Sequence, residues 1–154
     1  MLGSAAFRSD NWATAVRAFR TCTHLEPDSH ETWNNLAAAY IKQNEKNKAH
    51  GVFQEALKYD YDNAKVWENF LWTSTDCCYF EDIIRAYNRL LDIKEKYIDV
   101  DVLKALKISV EKKMKDPNDV TVFNYKQSIL KLFGRITSIV SLTKIFSYKT
   151  LLLF

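Results

Sequence analysis

The sequence predicts an all-α chain built as a stack of antiparallel helix pairs, and three observations carry that prediction. Glycine and proline are scarce, at 3 and 2 of 154 residues, so the frequent tight turns that strands require have little material. Apolar residues recur at helical spacing: Trp33, Leu36, Ala37 and Tyr40 fall at i, i+3, i+4 and i+7, one face of a helix. The chain also repeats itself at an offset of 34 residues, which carries Trp33 onto Trp67, Ala15 onto Ala49, and Phe19 onto Phe53 and then Tyr87. Leu2 with Leu36, Gly3 with Ala37, Cys22 with Ala56 and Asp28 with Asp62 match at the same offset.

The elements follow in order. Residues 1–28 read as a truncated first unit, whose second helix runs through Ala15, Phe19 and Cys22. Cys22 takes the place of a small core residue, which predicts a buried, inert thiol. Pro27 stops that helix, and Asp28 or Ser29 supplies the cap of the next. Residues 29–62 form the best-patterned unit: a helix through Trp33 and Tyr40, a left-handed residue at Asn44, then a helix through Ala49, Val52, Phe53 and Ala56. Ala37 and Ala49 let the two backbones approach, while Trp33, Tyr40 and Phe53 fill the space around that contact. Such a hairpin cannot bury its own apolar surface and must stack on its copies.

Residues 63–97 form a degenerate third unit. It keeps Trp67 and Tyr87, but Leu71 and Ile83 stand where the second unit has Ala37 and Ala49, and their bulk predicts a wider helix pair. Residues 98–137 read as an irregular helical pair. Its first helix spans 99–114, with Val102, Leu103, Leu106 and Val110 on one side. Asp116-Pro117-Asn118-Asp119 breaks the chain, and the second helix runs through Val122, Tyr125, Ile129, Leu132 and Phe133 to end near Gly134. Residues 138–154 lose every acidic side chain and read as an apolar tail, non-native or disordered, rather than a docked helix or a membrane-surface segment.

Trp33, Leu36, Ala37, Tyr40, Ala49, Phe53 and Ala56 together resemble the signature of the tetratricopeptide repeat family, with Tyr61 at the place of its closing proline. Leu2, Gly3, Ala15, Phe19 and Pro27 match the same signature from inside a repeat, so the chain reads as a fragment of a longer protein. The resemblance implies a right-handed superhelical stack of about two and a half repeats, followed by two irregular C-terminal helices. It also implies a concave groove lined by the first helix of each pair.

Composition narrows the function. The formal charge of +3 is spread over 22 basic and 19 acidic residues, which argues against direct nucleic-acid binding. Three cysteines, two of them the neighbours Cys77 and Cys78 at a helix-to-helix turn, set up no disulfide framework and suit a reducing compartment. The N-terminal residues lack the pattern of a secretory signal, and the apolar tail falls short of the about 20 residues that span a bilayer. His24, His30 and His50 lack metal-ligand spacing, and no nucleophile elbow or phosphate loop is present. The sequence thus predicts no enzyme, no cofactor, no metal and no membrane span, and a cytoplasmic protein with the nucleus as a further location.

The expected activity is protein–protein interaction: a scaffold that binds a partner peptide or domain in the concave groove. Groove positions on the second unit are Glu31, Asn34, Asn35, Ala38, Ile41 and Lys42; on the third they are Lys65, Glu68, Asn69, Trp72, Thr75 and Asp76. Asn34, Asn35 and Asn69 offer donors and acceptors for an extended backbone. Lys42 and Lys65 attract a carboxylate, Ala38 leaves room, and Trp72 supplies a flat apolar anchor that the repeat pattern does not itself require. For Asn35 and Asn69 the competing expectation is a hydrogen bond between repeats; for Trp72 it is burial in the widened third unit. Some family members clamp a chaperone's C-terminal carboxylate, but only Asn35 and Lys65 match that set here, which argues against such a ligand. VWENFLW and IIRAYNRLL also resemble half-a-tetratricopeptide repeats of RNA-processing scaffolds, the alternative function; the Ala37–Ala49 pairing favours the ordinary repeat.

Overall fold

The computed structural model describes residues 2–9, 11–94, 97–113 and 120–139. Among them are eight α-helices and no strand. The chain divides into two compact units, Met1–Cys77 and Cys78–Phe154.

The first unit holds α1 (Leu2–Arg8), α2 (Trp12–Leu25), α3 (His30–Lys42), α4 (Lys46–Tyr59) and α5 (Ala64–Cys77). Each helix packs on the next, and α3 also meets α5. The 34-residue period is written into the boundaries: α2 starts at Trp12 and α4 at Lys46, and they end at Leu25 and Tyr59. The caps keep the same register. The Ser29 hydroxyl accepts from the Thr32 amide at 3.4 Å at the start of α3. At the start of α5 the Asn63 side chain accepts from the Lys65 amide at 3.0 Å. Both arrangements satisfy amides that no helical carbonyl can reach.

The two signature tryptophans are fixed in the same way. The indole of Trp33 donates to the Pro27 carbonyl at 2.7 Å, and that of Trp67 to the Tyr61 carbonyl at 2.6 Å. Tyr61 therefore serves in place of the family's proline, because the interaction uses a backbone oxygen that any residue supplies. Its ring also meets Trp67 edge-on at 5.3 Å. Ala37 and Ala49 are both fully buried, as the close approach of α3 and α4 requires. In the first pair the equivalent small residue is Gly3, where an added Cβ would lie 2.8 Å from the Phe19 ring.

Cys22 departs from expectation. It is only half-buried, whereas Ala56 at the equivalent place is 1% exposed and Thr23 takes the inward position on α2.

The second unit holds α6 (Phe80–Ile93), α7 (Val100–Lys113) and α8 (Val120–Ile139). Ile83, Ala86, Tyr87 and Leu90 give α6 a continuous buried stripe. Helix α8 packs on α6 and on α7 through Ile129, Leu132, Phe133 and Ile136, again at i, i+3, i+4 and i+7. Val102, Leu103 and Leu106 of α7 are buried as their spacing predicts. Asp99 caps α7 by accepting from the Val102 amide at 3.1 Å, while its own amide donates to the Tyr87 hydroxyl at 2.9 Å. Arg135 ties α8 to α6, donating to Asn88 and to Asp92 at 2.6 Å each.

Helix α8 does not end near Gly134 but continues to Ile139. Gly134 is exposed with nothing within 4 Å of a would-be Cβ, so it costs the helix only its intrinsic propensity, about 1 kcal/mol. Burial of Ile136 beyond it offsets that cost. The expected break at 116–119, the side chains of Val110, Val122 and Tyr125, and the tail from residue 140 onward lie outside the described residues.

The turn predicted at Asn44 is left-handed, with φ 61°, and Cys78, 34 residues on, repeats it with φ 58°. Asparagine tolerates this conformation through its short polar side chain; cysteine does so at a steric cost.

Candidate functional site

Helices α3 and α5 are the first helices of neighbouring repeats, and they present the positions expected to line a groove. A side-chain hydrogen bond links them: Asn69 Nδ2 donates to Asn34 Oδ1 at 2.8 Å. Of the two adjacent asparagines on α3 it is Asn34, rather than Asn35, that makes this link. Consecutive helical residues point about 100° apart, so only one of them can face α5 at a given height. Asn35 and Ala38 are both half-buried.

Two turns further along, Ile41, Lys46, Trp72, Thr73 and Asp76 line a small cavity of about 90 Å³. Trp72 and Ile41 stand on its rim, 46% and 44% exposed, so the structure does not bury Trp72. The Thr73 hydroxyl is turned back onto the Asn69 carbonyl, to which it donates at 2.6 Å. Lys46 of α4 bridges to Asp76 at 2.9 Å across the end of this cavity. The Asp76 hydrogen bond, then its charge, holds the Lys46 ammonium above the usual lysine range. Attention to first helices alone misses Lys46, because it belongs to a second helix and reaches the face from the side.

Lys42 and Lys65 are exposed and form no ion pair among the described residues. They do not converge. Lys65 sits in the register of Glu31, so the two ammonium stems are about 16 Å apart along the helix direction. A single carboxylate cannot bind both; two separate acidic groups on one extended ligand can. Asn34 and Asn69 partly spend their polar atoms on each other, whereas Trp72, Ile41, Lys42 and Lys65 remain available.

Among the described residues no group of three His, Cys, Asp or Glu side chains is placed to hold a metal ion. No helix among them is long and apolar enough to cross a membrane.

This is the architecture of a helical repeat protein, and its repeats are of one kind: residues 6–68 match the tetratricopeptide repeat profile. The chain belongs to the tetratricopeptide repeat family. It is 36% identical over 146 residues to the tetratricopeptide repeat-containing protein trd-1 of Caenorhabditis elegans, matching 88% of this chain and 19% of that protein. It is 33% identical over 83 residues to the tetratricopeptide repeat protein 27 homolog of Dictyostelium discoideum, over 53% of this chain and 10% of that one. The chain thus spans a fifth or less of these relatives. Its fold is similar to the crystal structure of MamA, with a TM-score of 0.60 and 15% identity over 90% of this chain and 74% of the other.

Proposed function

We propose that the chain is a non-enzymatic section of a larger interaction scaffold, and that it binds an extended segment of a protein partner along the face formed by α3 and α5. The family supports protein interaction as the general role. The observation that carries the finer reading is Trp72. A large aromatic side chain left 46% exposed beside an equally exposed Ile41, over a small cavity, is the kind of anchor that dominates binding energy at interfaces. Asn35, Ala38 and the Asn34–Asn69 pair continue that face, and Lys42 and Lys65 mark its two ends for acidic groups on the ligand.

Proximity labelling with the longer parent protein tests this reading. The wild type is compared with Trp72→Ala and with Lys65→Glu, both surface changes that leave the core intact. Loss of the same subset of labelled proteins in both variants is expected. An unchanged set would remove α3 and α5 as the binding face.

A further inference from the structure

A second trough lies on the other side of α3, where α2 and α4 form its walls and signature residues of α3 its floor. Its volume is about 650 Å³, within the range of about 300–1,000 Å³ typical of ligand clefts. The floor is Trp33, Leu36 and Tyr40, which lie two helical turns apart end to end, about 10 Å. At the Trp33 end the Tyr59 ring stacks on the indole at 5.9 Å and is itself 53% exposed. At the Tyr40 end the Lys48 ammonium stands over the phenol ring, 5.8 Å from its centre.

Gly51 stands on the α4 wall of this trough. A glycine inside a helix costs about 1 kcal/mol relative to alanine. Gly3 has a visible reason for lacking a side chain, since Phe19 occupies the space; Gly51 has none, because a Cβ there would meet nothing within 4 Å. The bare backbone is left open to whatever enters from outside the chain.

The charges point the same way. Arg20, on the α2 wall, forms no ion pair among the described residues. Its charge acts against that of Lys48, which the hydrogen bond to Glu45 nevertheless holds above the usual lysine range. Lys48 is already paired with Glu45, which leaves Arg20 as the cation of the lining that has no acidic partner among the described residues. The acidic residue of the lining, Glu55, is already bound to Lys58 at 2.6 Å.

We propose that this trough binds a polyproline-II-like segment of a partner protein, with an apolar side chain against Trp33 and Tyr59 and an Asp or Glu side chain at Arg20. The spacing suits that conformation: residues three apart share one side of the polyproline helix at a separation of about 9 Å, close to the length of the aromatic floor. Aromatic-lined grooves are the usual hosts of such segments. The main chain of the ligand passes over Gly51, where a side chain would hold it away.

The test is selection from a phage-displayed library of random dodecapeptides on the full chain, with the selected peptides then measured by fluorescence anisotropy. The expected consensus has an apolar and an acidic residue three positions apart. Arg20→Glu should weaken these peptides about tenfold or more. Gly51→Ala should weaken them while raising Tm by about 2–4 °C, which separates loss of binding from loss of folding. Trp72→Ala, on the other face, should leave them bound. Peptides that lack the acidic position, or that bind Arg20→Glu and Gly51→Ala as tightly as the wild type, would overturn the proposal. So would a library that yields no peptide sensitive to either change.

Discussion

Asn69 of α5 and Asn34 of α3 share a hydrogen bond of 2.8 Å, and it ties together the first helices of two repeats. Both residues are half-buried. Asn69→Ala leaves the Asn34 carbonyl oxygen short of a donor. The expected cost is about 1 kcal/mol in chemical denaturation. Asn35→Ala, one residue from the bonded partner, should cost measurably less. Equal losses from Asn69→Ala and Asn35→Ala would show that the bond has no privileged place in joining the repeats.

The two signature tryptophans make the same hydrogen bond in different surroundings. Trp67 is 1% exposed, whereas Trp33 keeps part of its surface open along the α2–α4 trough. Substitution by phenylalanine removes the indole N–H and some volume at both places. Trp67→Phe should cost about 2–4 kcal/mol and Trp33→Phe about 1 kcal/mol, because only the first leaves a sealed void. Urea unfolding of the two variants checks the order.

Gly3 is the small residue of the first helix pair, and the Phe19 ring presses on it. Phe19 is only 6% exposed and cannot swing away freely. Gly3→Ala therefore gains about 1 kcal/mol of helix propensity but loses about 1–3 kcal/mol to overpacking. The net effect should be a lowered Tm, opposite in sign to Gly51→Ala. Thermal unfolding of the two variants side by side reads that difference directly.

Cys78 holds the left-handed turn that Asn44 holds 34 residues earlier. Its side chain is exposed, so replacement sacrifices no packing. Cys78→Gly should stabilise the chain by about 0.5–1 kcal/mol through relief of the backbone strain. A destabilised variant in the same assay would mean that the cysteine side chain makes a contribution the backbone angle does not reveal.

The repeat architecture was legible in the sequence because its determinants are local. Trp33 with Pro27, Ser29 with Thr32, and the turn at Asn44 all lie within one 34-residue period, so spacing alone exposes them. The unusual character of position 72 was legible for a related reason: the repeat pattern asks for nothing large there, and Trp72 is 46% exposed. Other features depend on relations that spacing does not contain. Choosing Asn34 over Asn35 needs the rotation of α3 against α5. The Lys46–Asp76 bridge needs a second helix to lean over the face of the first. The continuation of α8 through Gly134 turns on a balance between propensity and the burial of Ile136. The trough between α2 and α4 escaped the sequence reading because its floor residues were all accounted for as core.

The central claim is that a partner protein contacts the face carrying Trp72. Its most direct test places a photocrosslinking amino acid at position 72 in the parent protein, with Leu130, an equally exposed apolar position on α8, as the control. The account predicts a protein crosslink from position 72 that is absent from position 130 and is competed away by unlabelled wild-type chain. Crosslinks of equal yield from both positions, or none from position 72, would contradict it.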